Sequence, residues 1–293
     1  MPDTSNALPM LPSAHSERKG YAFMLGSSVC FAVMGAFVKQ ASATLPFLEV
    51  SFFRAFGGLL MIAAWMALTG QPFAARDKGI LVWRGVLGWA ALTAFFFGIS
   101  TLYLADAVLL NYTSPFFTAI VATFVLGERL SRPSVLALLL ASAGVAFVVG
   151  PKGGFLHWEA LVALSSGLFA AFAYVAVKRA TARNSPWVIV LYFSAVASLL
   201  TLPLMVPGYR HPSPLEWGLL SGVAVSATVA QVFMTLGYQH ARATTASIVS
   251  LFTPFIAAVL GIFFFHDLPT WATWLGGGLI LAAGVLLTRE KST

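Results

Sequence analysis

The segments AVLLNYTSPF (Ala107–Phe116) and ASIVSLFTPF (Ala246–Phe255) lie 139 residues apart and place Ala, a polar residue, Pro and Phe at the same spacing. The correspondence extends well beyond them. Gly98, Pro115, Ala119 and Glu128 match Gly237, Pro254, Ala258 and Asp267 at that same offset. Upstream, Ser27-Ser28-x-x-Phe31-Ala32 matches Ser165-Ser166-x-x-Phe169-Ala170, and Lys39-x-Ala41 matches Lys178-x-Ala180. Pro46, Phe53 and Leu59 match Pro186, Phe193 and Leu199. Single matches mean little in a chain this rich in Ala, Phe and Leu. The set keeps its order through four apolar stretches of each half, which makes it an internal repeat.

Composition names the solvent. Of the 293 residues, 59% are hydrophobic and 9% charged, with a mean hydropathy of +0.86. A water-soluble domain carries roughly 25% charged residues to wet its surface, so this chain is built for lipid. A spanning helix needs ~20 apolar residues. Apolar runs fall at Gly20–Val38, Phe47–Leu68, Ile80–Leu102, Ala107–Leu126 and Ser134–Val149. They continue at Leu161–Val177, Val188–Val206, Leu215–Tyr238, Thr244–Phe265 and Trp271–Thr288. The expected fold is all-α: ten transmembrane helices in two five-helix repeats, with no room for a soluble catalytic domain. An odd number of spans per repeat turns the second half upside down relative to the first. Inverted repeats are the architecture of alternating-access transporters. The expected organisation is a cytoplasmic tail over 1–19, a first repeat over 20–150 and a second over 157–288.

Net charge is +7. In a soluble protein this would suggest nucleic acid, but here the basic residues sit between apolar runs. Arg18, Lys19, Arg76, Lys78, Arg84, Arg129, Arg132, Lys178, Arg179, Arg183, Arg242, Arg289 and Lys291 fall to one side, and only Lys39, Lys152 and Arg210 to the other. The positive-inside rule then puts both termini in the cytoplasm of a bacterial cell, with the spans in its inner membrane. The expected partners are the bilayer and a small-molecule substrate, not nucleic acid. Ten helices can enclose a pathway alone, so a monomer suffices and a dimer is allowed. The single cysteine, Cys30, excludes an intramolecular disulfide and a thiolate metal centre.

The end of each fourth span carries a family resemblance. The first half reads Ala107-x-x-x-Asn111-Tyr112-Thr113-Ser114-Pro115-Phe116, then Leu126-Gly127-Glu128-Arg129-Leu130. The second half keeps the Pro and an acid, through Thr253-Pro254 and His266-Asp267-Leu268, but not the Gly and Arg. With the Gly-rich last span, Gly276 to Gly284, the chain from Gly20 to Leu287 resembles the drug/metabolite transporter superfamily in its EamA-type branch. Within it, the chain is similar to the bacterial exporters of aromatic and neutral amino acids, the YddG type. The resemblance implies a ten-helix exporter with a central cavity between its halves.

Ionisable groups inside spans mark function. No Asp or Glu falls at mid-depth in any run, which disfavours proton-for-cation exchange. Arg54 is the deepest cation, with Glu49 five residues before it as a possible partner or Arg54 itself as an anion contact. Pro115 and Pro254 are expected to kink spans four and nine and free the carbonyls of Asn111 and Ser250. The candidate substrate-binding residues are Trp89, Phe95, Tyr103, Asn111, Tyr112, Ser114, Tyr174, Gln231, Tyr238 and Ser250. An apolar wall with a few polar groups suits a neutral or zwitterionic ligand. No cofactor, metal or catalytic residue is expected: the five histidines lack ligand spacing and no phosphate-binding loop is present. The expected function is export of small metabolites, amino acids foremost, with efflux of aromatic cations or a lipid-directed membrane enzyme as alternatives. The charge asymmetry makes a direct prediction. Green fluorescent protein fused after Thr293 fluoresces in cells, and alkaline phosphatase at the same site stays inactive; the reverse pattern defeats the assigned orientation.

Overall fold

A computed structural model describes residues 14–101, 110–149, 158–265 and 271–289. Its helices are α1 (Ala14–Ala41), α2 (Phe47–Leu68), α3 (Lys78–Thr101), α4 (Ser114–Leu126), α5 (Arg132–Val149) and α6 (Trp158–Ala180). They continue as α7 (Pro186–Met205), α8 (Pro214–His240), α9 (Ala243–Val249), α10 (Phe252–Phe265) and α11 (Trp271–Arg289). No strand occurs among the described residues. α2, with 22 residues, reaches about 33 Å at ~1.5 Å per residue, enough for the ~30 Å hydrocarbon layer. Large apolar side chains such as Leu68, Phe124, Leu199 and Leu215 point outward and exposed. This inversion of a soluble surface is what lipid contact requires. Trp158, Trp217, Trp271 and Trp274 are also exposed, near helix ends, where membrane interfaces favour them.

The helix pairs reveal the repeat independently of sequence. α1 packs along α8, and α3 along α6. Exchanging the halves turns the first pair into the second. α2 with α8 likewise exchanges into α3 with α7. α2 against α7 and α5 against α11 exchange into themselves. The protein is thus an all-α, ten-span membrane fold of two inverted five-span repeats, with α9 and α10 together forming the ninth span. Ten crossings return the chain to the face where it began, called the terminal face below.

Two features depart from the sequence reading. α1 begins at Ala14, so residues 14–19 of the expected tail are helical, and Glu17 there is buried. Spans four and nine are broken rather than kinked. Residues 110 and 111 are helical, Tyr112 and Thr113 form a turn, and α4 restarts at Ser114. In span nine, Ser250 and Leu251 form the equivalent turn between α9 and α10. Pro115 therefore sits in the first turn of a new helix, where its missing N–H would have no partner anyway. Pro254 follows the start of α10 in the same way. The carbonyl of Ser250 is not free as expected, because Thr253 N donates to it at 3.0 Å.

Close packing sets the rest. A Cβ on Gly144 of α5 would lie 2.6 Å from the carbonyl oxygen of Gly276 and 3.1 Å from Ile280 N on α11, so only glycine permits this helix contact. Gly144→Val should destabilise the protein by about 1–3 kcal/mol through overpacking. Gly278→Ala, which meets nothing within 4 Å, should fall within about 0.5 kcal/mol of the parent. Thermal melting in detergent compares the two; equal melting temperatures would remove the packing assignment.

Candidate functional site

The two broken spans face a cavity of about 280 Å³ between the halves. Of the candidate residues, Phe95, Asn111, Tyr112 and Ser114 line it from the first half. Tyr174, Gln231, Tyr238 and Ser250 line it from the second, with Pro254 beside them. Trp89 lies elsewhere: it packs on Ala55, Phe193 and Ala197 outside the lining. Pro115 is buried in α4 but does not reach the lining. Tyr103 lies outside the described residues, as does Asp267.

Arg54 borders the cavity and is only 5% exposed. Its Nε donates to Met34 Sδ at 3.3 Å, a weak acceptor for a full cation. Glu49 does not pair with it. That carboxylate is wholly buried at the start of α2 and accepts from Arg210 N at 3.1 Å through Oε2. The helical geometry explains this, since residues five apart do not face each other.

Arg84 is the residue the sequence reading misplaced. Grouped there with the loop cations, it is instead buried in α3, 3% exposed, and borders the same cavity. Its Nη2 donates to Gln231 Oε1 at 3.0 Å. Its guanidinium carbon lies 4.1 Å from the Phe193 ring centroid, a cation–π contact. The signal was present in the sequence: Ile80-Leu81-Val82-Trp83 precede it, which places it a turn inside the span.

Unmet hydrogen-bonding capacity collects here. Arg84 Nε, Arg84 Nη1, Tyr238 Oη and Ser28 Oγ are buried without a partner, and all three residues border the cavity. Buried polar atoms are nearly always paired, so each exception calls for an explanation, such as a water or ion that completes it. Every one of these atoms can donate. Tyr174 and Tyr238 stack at 5.4 Å beside them. No Asp or Glu occurs among the described lining residues.

On the terminal face a buried carboxylate ties the two halves together. Gly127 ends α4 in the left-handed conformation, φ 68°, which glycine adopts without strain. The chain then turns Glu128 toward the start of α9. Its carboxylate accepts from Ala243 N at 2.6 Å, Thr244 N at 3.0 Å and Thr244 Oγ1 at 2.8 Å. Arg242 pairs with Glu17 at 3.1 Å, and Lys178 Nζ donates to Ala241 O at 2.7 Å. Three elements thus hold the α8–α9 turn: the end of α4, α1 and α6. At its other end the lining reaches Gly35 and Ala257, both exposed.

Comparison with known proteins identifies this arrangement. The model of the EamA-like transporter family matches residues 18–150 and again 157–289. The chain belongs to that family. It is a transporter rather than an enzyme, and a multi-pass membrane protein. The pseudopaline exporter CntI of Pseudomonas aeruginosa (strain UCBPP-PA14) is 37% identical over 276 residues, covering 94% of this chain and 97% of that one. An uncharacterised transporter of Archaeoglobus fulgidus is 29% identical, covering 93% and 97%. The S-adenosylmethionine uptake transporter of Rickettsia prowazekii is 21% identical, covering 93% and 94%. A solved crystal structure shares the fold at a TM-score of 0.81 and 16% identity, covering 96% of this chain and all of that one.

Removing the Glu128 carboxylate strands the buried donors of α9, each costing about 1–3 kcal/mol. Glu128→Ala should therefore lower the melting temperature and loosen the terminal face. Ser247→Cys, buried in α9, should react faster with an impermeant thiol reagent in that background, with Cys30 replaced by Ser. Unchanged labelling would show that Glu128 does not hold this face closed.

Proposed function

We propose that this transporter exports small amphipathic carboxylates, amino acids with apolar side chains among them, across a bacterial inner membrane by alternating access. The observation that carries the reading is Arg84, a buried guanidinium with two unpartnered donors at the edge of a cavity with no acid among its described lining residues. A guanidinium offers paired N–H groups that match a carboxylate. The apolar wall of Phe31, Phe95 and Phe193 would take the body of the substrate. Export is the direction printed for the Pseudomonas relative, and the substrate of this chain is argued from its own cavity. Two cations and no acid weigh against the aromatic-cation alternative, since a like charge in low dielectric is repelled.

The repeats, proposed as 20–150 and 157–288, would act as the two halves that rock. With the basic face cytoplasmic, the Glu128 closure lies on the cytoplasmic side, and the described state faces outward. One chain encloses the cavity, so the monomer is the proposed transporting unit.

Purified protein in liposomes tests this with labelled 3-phenylpropionate, phenylalanine and phenethylammonium. Saturable movement of the two carboxylates and not the amine is expected. Loss of a charge-assisted hydrogen bond costs about 1.5–3 kcal/mol, so Arg84→Gln should reduce kcat/KM by roughly ten- to a hundredfold, while Arg84→Lys retains part of it. Equal transport of the amine would overturn the reading.

A further inference from the structure

We infer that the cavity is a two-point anion site, with Arg54 holding a second acidic group, so that the preferred substrate is a small dianion with an apolar body. The inference rests on the proposed carboxylate site at Arg84 and goes beyond it.

The first ground is charge balance. Arg54 and Arg84 border one cavity with no Asp or Glu among its described lining residues. Like charges sharing a desolvated space repel strongly, and buried cations are ordinarily paired. A monocarboxylate neutralises one of them. A zwitterion adds no net charge and brings an ammonium group near the other. Only two acidic groups on the ligand balance both.

The second ground is that Arg54 has no adequate partner among the described residues. Its one hydrogen bond goes to a thioether. Glu49, the acid nearest to it in sequence, does not bond to it: Oε2 accepts from Arg210 N, and Oε1 is buried without a partner. A guanidinium with only a weak acceptor, 5% exposed at a cavity edge, has donors to give a ligand.

The third ground is an internal control that the repeat supplies. In the second half the same helices are built without these cations. At the offset set by Pro46 and Pro186, Arg54 corresponds to Ser194. At the offset set by Gly98 and Gly237, Arg84 corresponds to Val223. The architecture therefore requires neither arginine, and a role in folding does not explain their presence. Both stand in one half, so they address a ligand that is itself charged at one end or along one side, while the second half supplies Gln231, Tyr174 and Tyr238.

Binding to the detergent-purified full chain, measured by calorimetry, tests this with probes that share one phenyl body and differ in charge. These are benzylsuccinate (two carboxylates), 3-phenylpropionate (one), phenylalanine (zwitterion) and phenethylammonium (cation). Benzylsuccinate should bind at least about tenfold more tightly than 3-phenylpropionate, as a charge-assisted contact implies. In Arg54→Gln the two acids should bind equally, and Arg54→Lys should restore part of the difference. An unchanged melting temperature and a single elution peak establish that the variants fold. Equal binding of mono- and dicarboxylate to the parent protein, or a difference that survives Arg54→Gln, overturns the second point and leaves the Arg84 site standing. Binding of the amine as tightly as the acids, or of none of the four, overturns both.

Discussion

Backbone hydrogen bonding in a medium without water is the constraint from which this molecule follows. Inside hydrocarbon every N–H and C=O must find its partner within the protein. Eight spans meet the demand as continuous helices. Spans four and nine do not, and their breaks need local repair. Thr113 Oγ1 donates to Leu110 O at 2.6 Å, and Ser250 Oγ to Ser247 O at 2.6 Å. Asn111 Nδ2 reaches Ser166 Oγ on α6 at 3.0 Å. Gly167 lets α6 come close enough, since a Cβ there would lie 3.0 Å from Leu110 O. Two of these side chains, Asn111 and Ser250, also line the cavity. Site and fold thus share one cause.

Symmetry and its violation divide the labour. The helix pairs interchange between halves, and both breaks occur at matching positions ahead of a proline. Such pairing gives an inverted repeat two related packings, which alternating access needs. What breaks the symmetry is chemistry. Arg54 and Arg84 have only Ser194 and Val223 opposite them in the alignment of halves. Glu128 seals one face through backbone amides of α9, a contact that depends on which way the halves are tilted.

The periodic part of this design was legible in the sequence. Span positions follow from apolar runs, the inversion from five spans per repeat, and the cavity from the matched prolines. Eight of the ten candidate lining residues border the cavity because they flank those breaks or fall on the inward faces of spans three, six and eight. What was not legible depends on depth and three-dimensional neighbours. Arg84 reads as a loop cation when charges are counted by run boundaries, and one helical turn decides between interface and core. Trp89 has the chemistry of a cavity residue but turns toward Phe193 and Ala197. Glu128 looked like a helix end; its burial depends on α9, 115 residues further on. The helical start at Ala14 is likewise tertiary, since Glu17 is held by Arg242.

A cavity bordered by two fixed positive charges is also an electrical object. A membrane potential acts on each elementary charge that crosses it with about 2.3 kcal/mol per 100 mV. Anions leaving a cell whose interior is negative move with that field. The proposed carboxylate cargo would therefore draw on the voltage itself, and its export would run downhill without a proton-carrying acid. The cost falls on the unloaded protein, which must reorient with its cations uncovered. Ligand and carrier would thus turn over as partners in a charge cycle, with the bare state as its least comfortable member.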